Sequence, residues 1–144
     1  MIAVTAERDI NVPAARAWAV LSRFDDISWG GDMGRIEYEG EGVGMVRRLY
    51  MVPGSTTIER LDAMDHENMQ FSYSVPEGMP MPIDNYKATV SVTPTGDSQC
   101  RVRWVSEGAS TDASEQDAEI MLSNFLNTLL QTLEAHLLAI DEQR

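Results

Sequence analysis

Cysteine is almost absent. Cys100 stands alone in 144 residues, so no internal disulfide can staple the fold. Histidine is nearly as scarce: His66 lies in the turn Asp65-His66-Glu67-Asn68 and His136 near the end of a helical pattern, which leaves neither a metal set nor a nucleophile–base pair. Basic residues number 11 against 23 acidic ones, a formal net charge of −12, and that field repels nucleic-acid phosphates and anionic lipid headgroups. No apolar run approaches the roughly 20 residues that span a bilayer. Met1 to Asp9 lacks the basic and apolar regions of a secretion signal. The expectation is a cytoplasmic protein with no metal, no cofactor, no nucleic-acid partner and no membrane insertion. Gly40, Gly42 and Gly44 crowd one turn, but no helix follows them, so they do not form a phosphate loop.

The length suits one domain over residues 1–144, long enough to bury roughly two-thirds of its unfolded surface. Ile2 to Val12 alternates, with Ile2, Val4, Ala6, Arg8, Ile10 and Val12 on the face expected to be buried. Pro13 then opens a short helix over Ala14 to Phe24, with Ala17, Trp18, Leu21 and Phe24 at helical spacing. Asp25 to Gly34 reads as a loop or a single helical turn. Six strands follow, Arg35 to Glu39, Met45 to Val52, Thr56 to Met64, Met69 to Val75, Tyr86 to Thr93 and Cys100 to Glu107, separated by turn residues. Pro76 to Pro82 holds three prolines in seven residues and reads as a long loop with exposed methionines. One long helix ends the chain, with Asp112 as the expected N-cap. Its apolar residues, Ala118, Met121, Leu122, Phe125, Leu126, Leu129, Leu130, Leu133 and Leu137, form one wide stripe. Together these elements describe an α+β fold in which a curved seven-stranded antiparallel sheet wraps the long C-terminal helix. A strongly curved sheet meets a straight helix along only part of its length, so an internal cavity is expected between them.

Three strands each place a polar side chain among alternating apolar ones: Arg47, Glu59 and Tyr86. On Met45 to Met51 the odd face carries Arg47 and the even face Arg48, so periodicity does not choose between the two arginines. Glu59 shares its face with Thr57 and Leu61 and is the natural partner for a buried guanidinium. Tyr73 and Tyr86 can each set a ring in the wall and a hydroxyl in the cavity, although a tyrosine on an edge strand simply points to water, a reading that suits Tyr73 more than Tyr86. Trp104 on the last strand and Trp29 in the early loop can stack on a ligand, and Trp18 reads as core. Met121, Phe125 and Leu129 fall at i, i+4 and i+8 on one line of the terminal helix, which by itself reads as core.

The order of these elements, with Val12-Pro13-Ala14, Gly44-Met45-Val46-Arg47, Glu59-Arg60-Leu61-Asp62 and Asn85-Tyr86, resembles the START-like helix-grip superfamily of polyketide cyclases/dehydratases, lipid transfer proteins and pollen-allergen-like proteins. The wording from Gly44 to Pro94 is most similar to plant abscisic acid receptors and their bacterial relatives. The resemblance implies a pocket between sheet and helix, with Arg47 inward, Trp29 as lining and Met121, Phe125 and Leu129 as its floor. It also implies a gate loop at Val52-Pro53-Gly54-Ser55 and a latch loop from Gly78 to Ile83, which contains Met79 and Met81. Met81 and Pro82 stand where the receptors keep a His-Arg pair, Leu129 stands in place of an asparagine, and no lysine lies near Trp29 to Arg35, so hormone recognition is not carried over.

Three functions fit. The first is a module that binds a small hydrophobic ligand for sequestration, transport or sensing. The second is a cyclase or dehydratase in which Arg47 orients a carbonyl or enolate and Glu59 or Tyr86 moves a proton. The third is a protein-interaction role for the closing loops. A homodimer is left open.

Overall fold

The computed structural model describes residues 1–31 and 33–142, the side chains of 141 and 142 excepted, so position 32 of the Asp25–Gly34 loop and the last two residues lie outside it. Seven strands form one antiparallel sheet: β1 (Ile2–Ile10), β2 (Arg35–Glu39), β3 (Val46–Val52), β4 (Ser55–Asp65), β5 (Gln70–Glu77), β6 (Ile83–Gly96) and β7 (Gln99–Ser110). Helix α1 (Ala14–Leu21) and a 3-10 turn (Ser28–Gly30) connect β1 to β2, and α2 (Glu115–Glu142) follows β7. Spatial order is β1-β7-β6-β5-β4-β3-β2, so the meander runs in sequence from β2 to β7 and β1 closes the far side against β7. The curved sheet and long terminal helix are the α+β helix-grip arrangement expected from the resemblance.

Local chemistry explains most boundaries. β1 buries Ile2, Val4, Ala6 and Ile10 as alternation requires. Arg8, the charged member of that face, is half-buried, and its guanidinium lies 2.8 Å from Glu134 on α2. Irregularities in the β3–β4, β4–β5 and β6–β7 pairings interrupt the ladders and bend the sheet. At the start of β6, Asn85 adopts φ 54°, and both Asp84 and Asn85 face solvent, so Ile83 and Tyr86 both point inward.

Several boundaries differ from expectation: α1 ends at Leu21 and not at Phe24, and β6 spans Ile83–Gly96, beyond Tyr86 to Thr93. Asp112 is not the N-cap of the long helix. That role belongs to Ser114, whose Oγ accepts the Asp117 amide at 3.1 Å, because the helix begins three residues beyond the expected cap. The segment expected as a loop from Pro76 to Pro82 shrinks to 78–82, since β5 runs through Pro76 to Glu77. Gly78 sits tight against β4: it has φ 77°, and a Cβ there would collide with the Thr56 carbonyl. The Thr57 hydroxyl donates to the Gly78 carbonyl at 2.6 Å.

Ala118, Leu122, Leu126, Leu130, Leu133 and Leu137 of α2 are buried in one apolar cluster with β1, α1 and the inner faces of β5, β6 and β7. No helix among the described residues is long and apolar enough to cross a membrane.

Candidate functional site

β3 and β4 are antiparallel neighbours whose register sets Arg47 directly opposite Glu59. On β3 the odd positions are the more buried, so Arg47 and Leu49 face inward while Arg48 is half-exposed and bonds Glu39. Arg47 donates through Nε to Glu59 Oε1 at 2.6 Å and through Nη1 to the Phe24 carbonyl at 3.2 Å. Its guanidinium also covers the Phe24 ring at 3.8 Å from the centroid, a cation–π contact that depends on the chain passing close by after α1. The charge is therefore compensated on three sides.

Around this pair lies a small cavity of about 50 Å³, lined by Ile27, Trp29, Met33, Arg47, Leu49, Met51, Glu59, Tyr73, Trp104, Phe125 and Leu129. By volume it holds no more than a few waters. A larger cleft of about 530 Å³ crosses the outer face of the sheet beside Arg60, Asp62, Lys87 and Glu107. That surface is open to water and offers little desolvation, so the smaller, aromatic-lined space is the better candidate.

Seven of the expected ligand-binding residues converge on the cavity: Trp29, Arg47, Glu59, Tyr73, Trp104, Phe125 and Leu129. Tyr73 is not an edge residue pointing to water. β5 is the central strand of the sheet, Tyr73 is buried, and its hydroxyl accepts the Trp104 indole N–H at 3.2 Å. Burial drives the Tyr73 phenol well above its ordinary range, with the neighbouring Tyr86 and Glu59 pushing the same way. That hydroxyl stays protonated and serves as a hydrogen-bonding group.

Two expected residues lie elsewhere. Tyr86 is buried, but it does not line the cavity; its hydroxyl hydrogen-bonds Ser106 Oγ at 2.9 Å in the core. Burial raises its phenol too, partly offset by that bond to Ser106. Met121 is 44 % exposed and also outside the lining, because the straight helix has already turned this position toward solvent at its N-terminal end. Of the loop residues, Pro53 and Gly54 form the exposed β3–β4 turn, while Met79 and Met81 are half-buried against the core and not exposed as expected. Their unbranched side chains fold back over neighbouring apolar groups.

Phe24, Ile27, Met33, Leu49 and Met51 were missed. Leu49 and Met51 share the parity of Arg47 and were open to detection once that face was chosen. Ile27 and Met33 flank Trp29 in irregular chain, where no period marks them. Phe24 reads as helical core, and its ring is indeed buried, but nothing local reveals its carbonyl contact with Arg47.

Known structures share this architecture. The protein XoxI from Bacillus cereus superposes with a TM-score of 0.86 at 22% identity, over 98% of this chain and 99% of its own. A Nitrosospira multiformis protein gives 0.78 at 25% identity, over 94% and 95%. Norcoclaurine synthase from Thalictrum flavum, in complex with dopamine and hydroxybenzaldehyde, gives 0.77 at 20% identity, over 95% and 86%. Residues 1–137 match the family described as polyketide cyclase / dehydrase and lipid transport. The helix-grip sheet, the terminal helix and this match over nearly the whole length agree, and the chain belongs to the polyketide cyclase / dehydrase and lipid transport family.

Proposed function

We propose that this protein takes a small, mostly apolar molecule into the space between the sheet and α2, for sequestration, transport or sensing. The observation that carries the reading is the Arg47–Glu59 pair, its guanidinium buried and its carboxylate half-buried, lining a cavity whose other described walls are aromatic, aliphatic or thioether side chains. An ion pair is a poor filler for a sealed core, because its desolvation is recovered only with near-ideal geometry. At the end of an apolar cavity it supplies the few polar groups that orient a ligand. The lining also has the means to open. Met33, Met51 and Leu129 are half-buried and Phe125 is 42 % exposed, so the outer wall can yield without disturbing the leucine core. A fold neighbour in complex with dopamine and hydroxybenzaldehyde supports an aromatic guest in such a scaffold. Proton transfer is not part of the reading: Glu59 Oε1 is held by Arg47, and Tyr86 turns to Ser106.

The test is titration with prodan, an uncharged naphthyl ketone whose emission shifts to the blue in apolar surroundings. Saturable one-to-one binding is expected, abolished by Leu129→Trp, which fills the outer wall. Unsaturable emission, or emission indifferent to that substitution, would overturn the reading.

A further inference from the structure

We infer that the cavity selects an uncharged ligand, a flat aromatic molecule whose polar end is a carbonyl or hydroxyl, over the corresponding carboxylate. This rests on the binding reading above and adds the ligand's charge. Among the described residues Arg47 is the lone cation of the lining and Glu59 the lone anion, and they touch at 2.6 Å. A carboxylate guest would bring a second negative charge beside the half-buried Glu59, in a space partly shielded from water where like charges repel more than in bulk solvent. One guanidinium charge, already matched by Glu59 and held by the Phe24 carbonyl and ring, would then face two carboxylates. Among the described residues no other cationic side chain lines the cavity to take over, and the protein's net charge of −12 opposes an anion's approach.

A neutral oxygen meets none of these obstacles. Guanidinium presents five N–H donors, of which the Glu59 and Phe24 contacts use two, so a ligand carbonyl can be accommodated with the ion pair intact. A ligand hydroxyl can donate to the second Glu59 oxygen. Trp29, Tyr73, Trp104 and Phe125 give the remainder of the guest faces and edges to pack on, and the thioethers of Met33 and Met51 adapt to its outline. Tyr73, held protonated by burial, adds no negative charge.

The experiment compares 2-acetylnaphthalene with 2-naphthoate, close in size and opposite in this one property, as competitors for bound prodan at neutral pH. The wild-type protein is expected to bind the ketone at least tenfold more tightly. Glu59→Gln keeps the size and an acceptor oxygen but leaves Arg47 uncompensated, and it should shift the ratio at least tenfold toward naphthoate. Equal or tighter binding of naphthoate by the wild type would overturn the inference, as would a ratio unmoved in Glu59→Gln. If Glu59→Gln does not fold, the double variant Arg47→Met/Glu59→Met serves. Removing the like charge should narrow the ketone's advantage, and a ratio unchanged from the wild type would show that the pair does not set the selectivity. Failure of prodan itself to bind strikes the underlying reading and is distinct from a reversed preference between the two competitors.

Discussion

Helix α2 carries two apolar stripes that share one backbone and differ in what they face. Leu122, Leu126, Leu130, Leu133 and Leu137 are at most 1% exposed, whereas Met121 and Phe125, one position before Leu122 and Leu126, are 44% and 42% exposed. The leucines meet a dry wall of branched and aromatic side chains from β1, α1, β6 and β7. Phe125 and Leu129 instead border the cavity that contains Arg47 and Glu59. Apolar side chains pack to crystal-like density against one another, but sealing them onto an ion pair would strip its remaining polar atoms of partners. The same helix is therefore a structural beam on one side and a loosely fitted wall on the other. Hydrophobicity alone does not distinguish the two.

The comparison can be broken most forcefully at the ion pair. Glu59→Leu strands a buried guanidinium and is expected to destabilise the fold by about 3–5 kcal/mol, while the double variant Arg47→Leu/Glu59→Leu recovers most of that loss. Urea denaturation of the two single variants and the double measures the coupling; additive losses would mean that the pair is not a unit.

Next comes the contrast between the stripes. Leu126→Ala should cost about 2–5 kcal/mol by opening a cavity in the dry core. Phe125→Ala, with nearly half its surface already in water, should cost no more than about 1.5 kcal/mol. Equal losses would erase the distinction between beam and wall.

The smallest effect is a slope. Burial raises the Tyr73 phenol above its unfolded value, so the native state keeps the proton after the unfolded chain has released it. The stability associated with the neutral phenol is complete below the unfolded pKa of about 10 and is lost as pH rises beyond it, by about 1.4 kcal/mol per pH unit for one group. Tyr73→Phe should flatten the alkaline stability profile by that amount, whatever it costs at neutral pH through loss of the Trp104 partner. Denaturant midpoints between pH 9.5 and 11 check the slope, and an unchanged slope would mean that the phenol ionises freely in the folded protein.

Strands were legible because period-two alternation is local. β1 shows it from Ile2 to Ile10 and β7 from Cys100 to Gly108, so both could be placed from side chains alone. The cap of α2 was misplaced because Asp112 and Ser114 are both competent oxygens, and only the observed start of the helix selects the serine. The choice between cavity wall and exposed edge for Tyr73 and Tyr86 stayed open for a different reason: whether a tyrosine sits on an edge depends on strand order, which alternation does not encode. At the site, Arg47 and Glu59 were legible as partners, while Arg47 could not be told from Arg48 without the family resemblance.

By itself the sequence determined which residues could be buried and with what period. That was enough for seven strands, two helices, the apolar stripe of α2 and the absence of any bilayer-length segment. Tertiary structure decided the rest. It set Arg47 opposite Glu59 with Phe24 behind it, turned Tyr86 to Ser106, and left the cavity at about 50 Å³. The physical reason is one of range. Periodicity follows from a backbone geometry that repeats over a few residues, whereas a cavity is the space left over when elements far apart in the chain settle against one another.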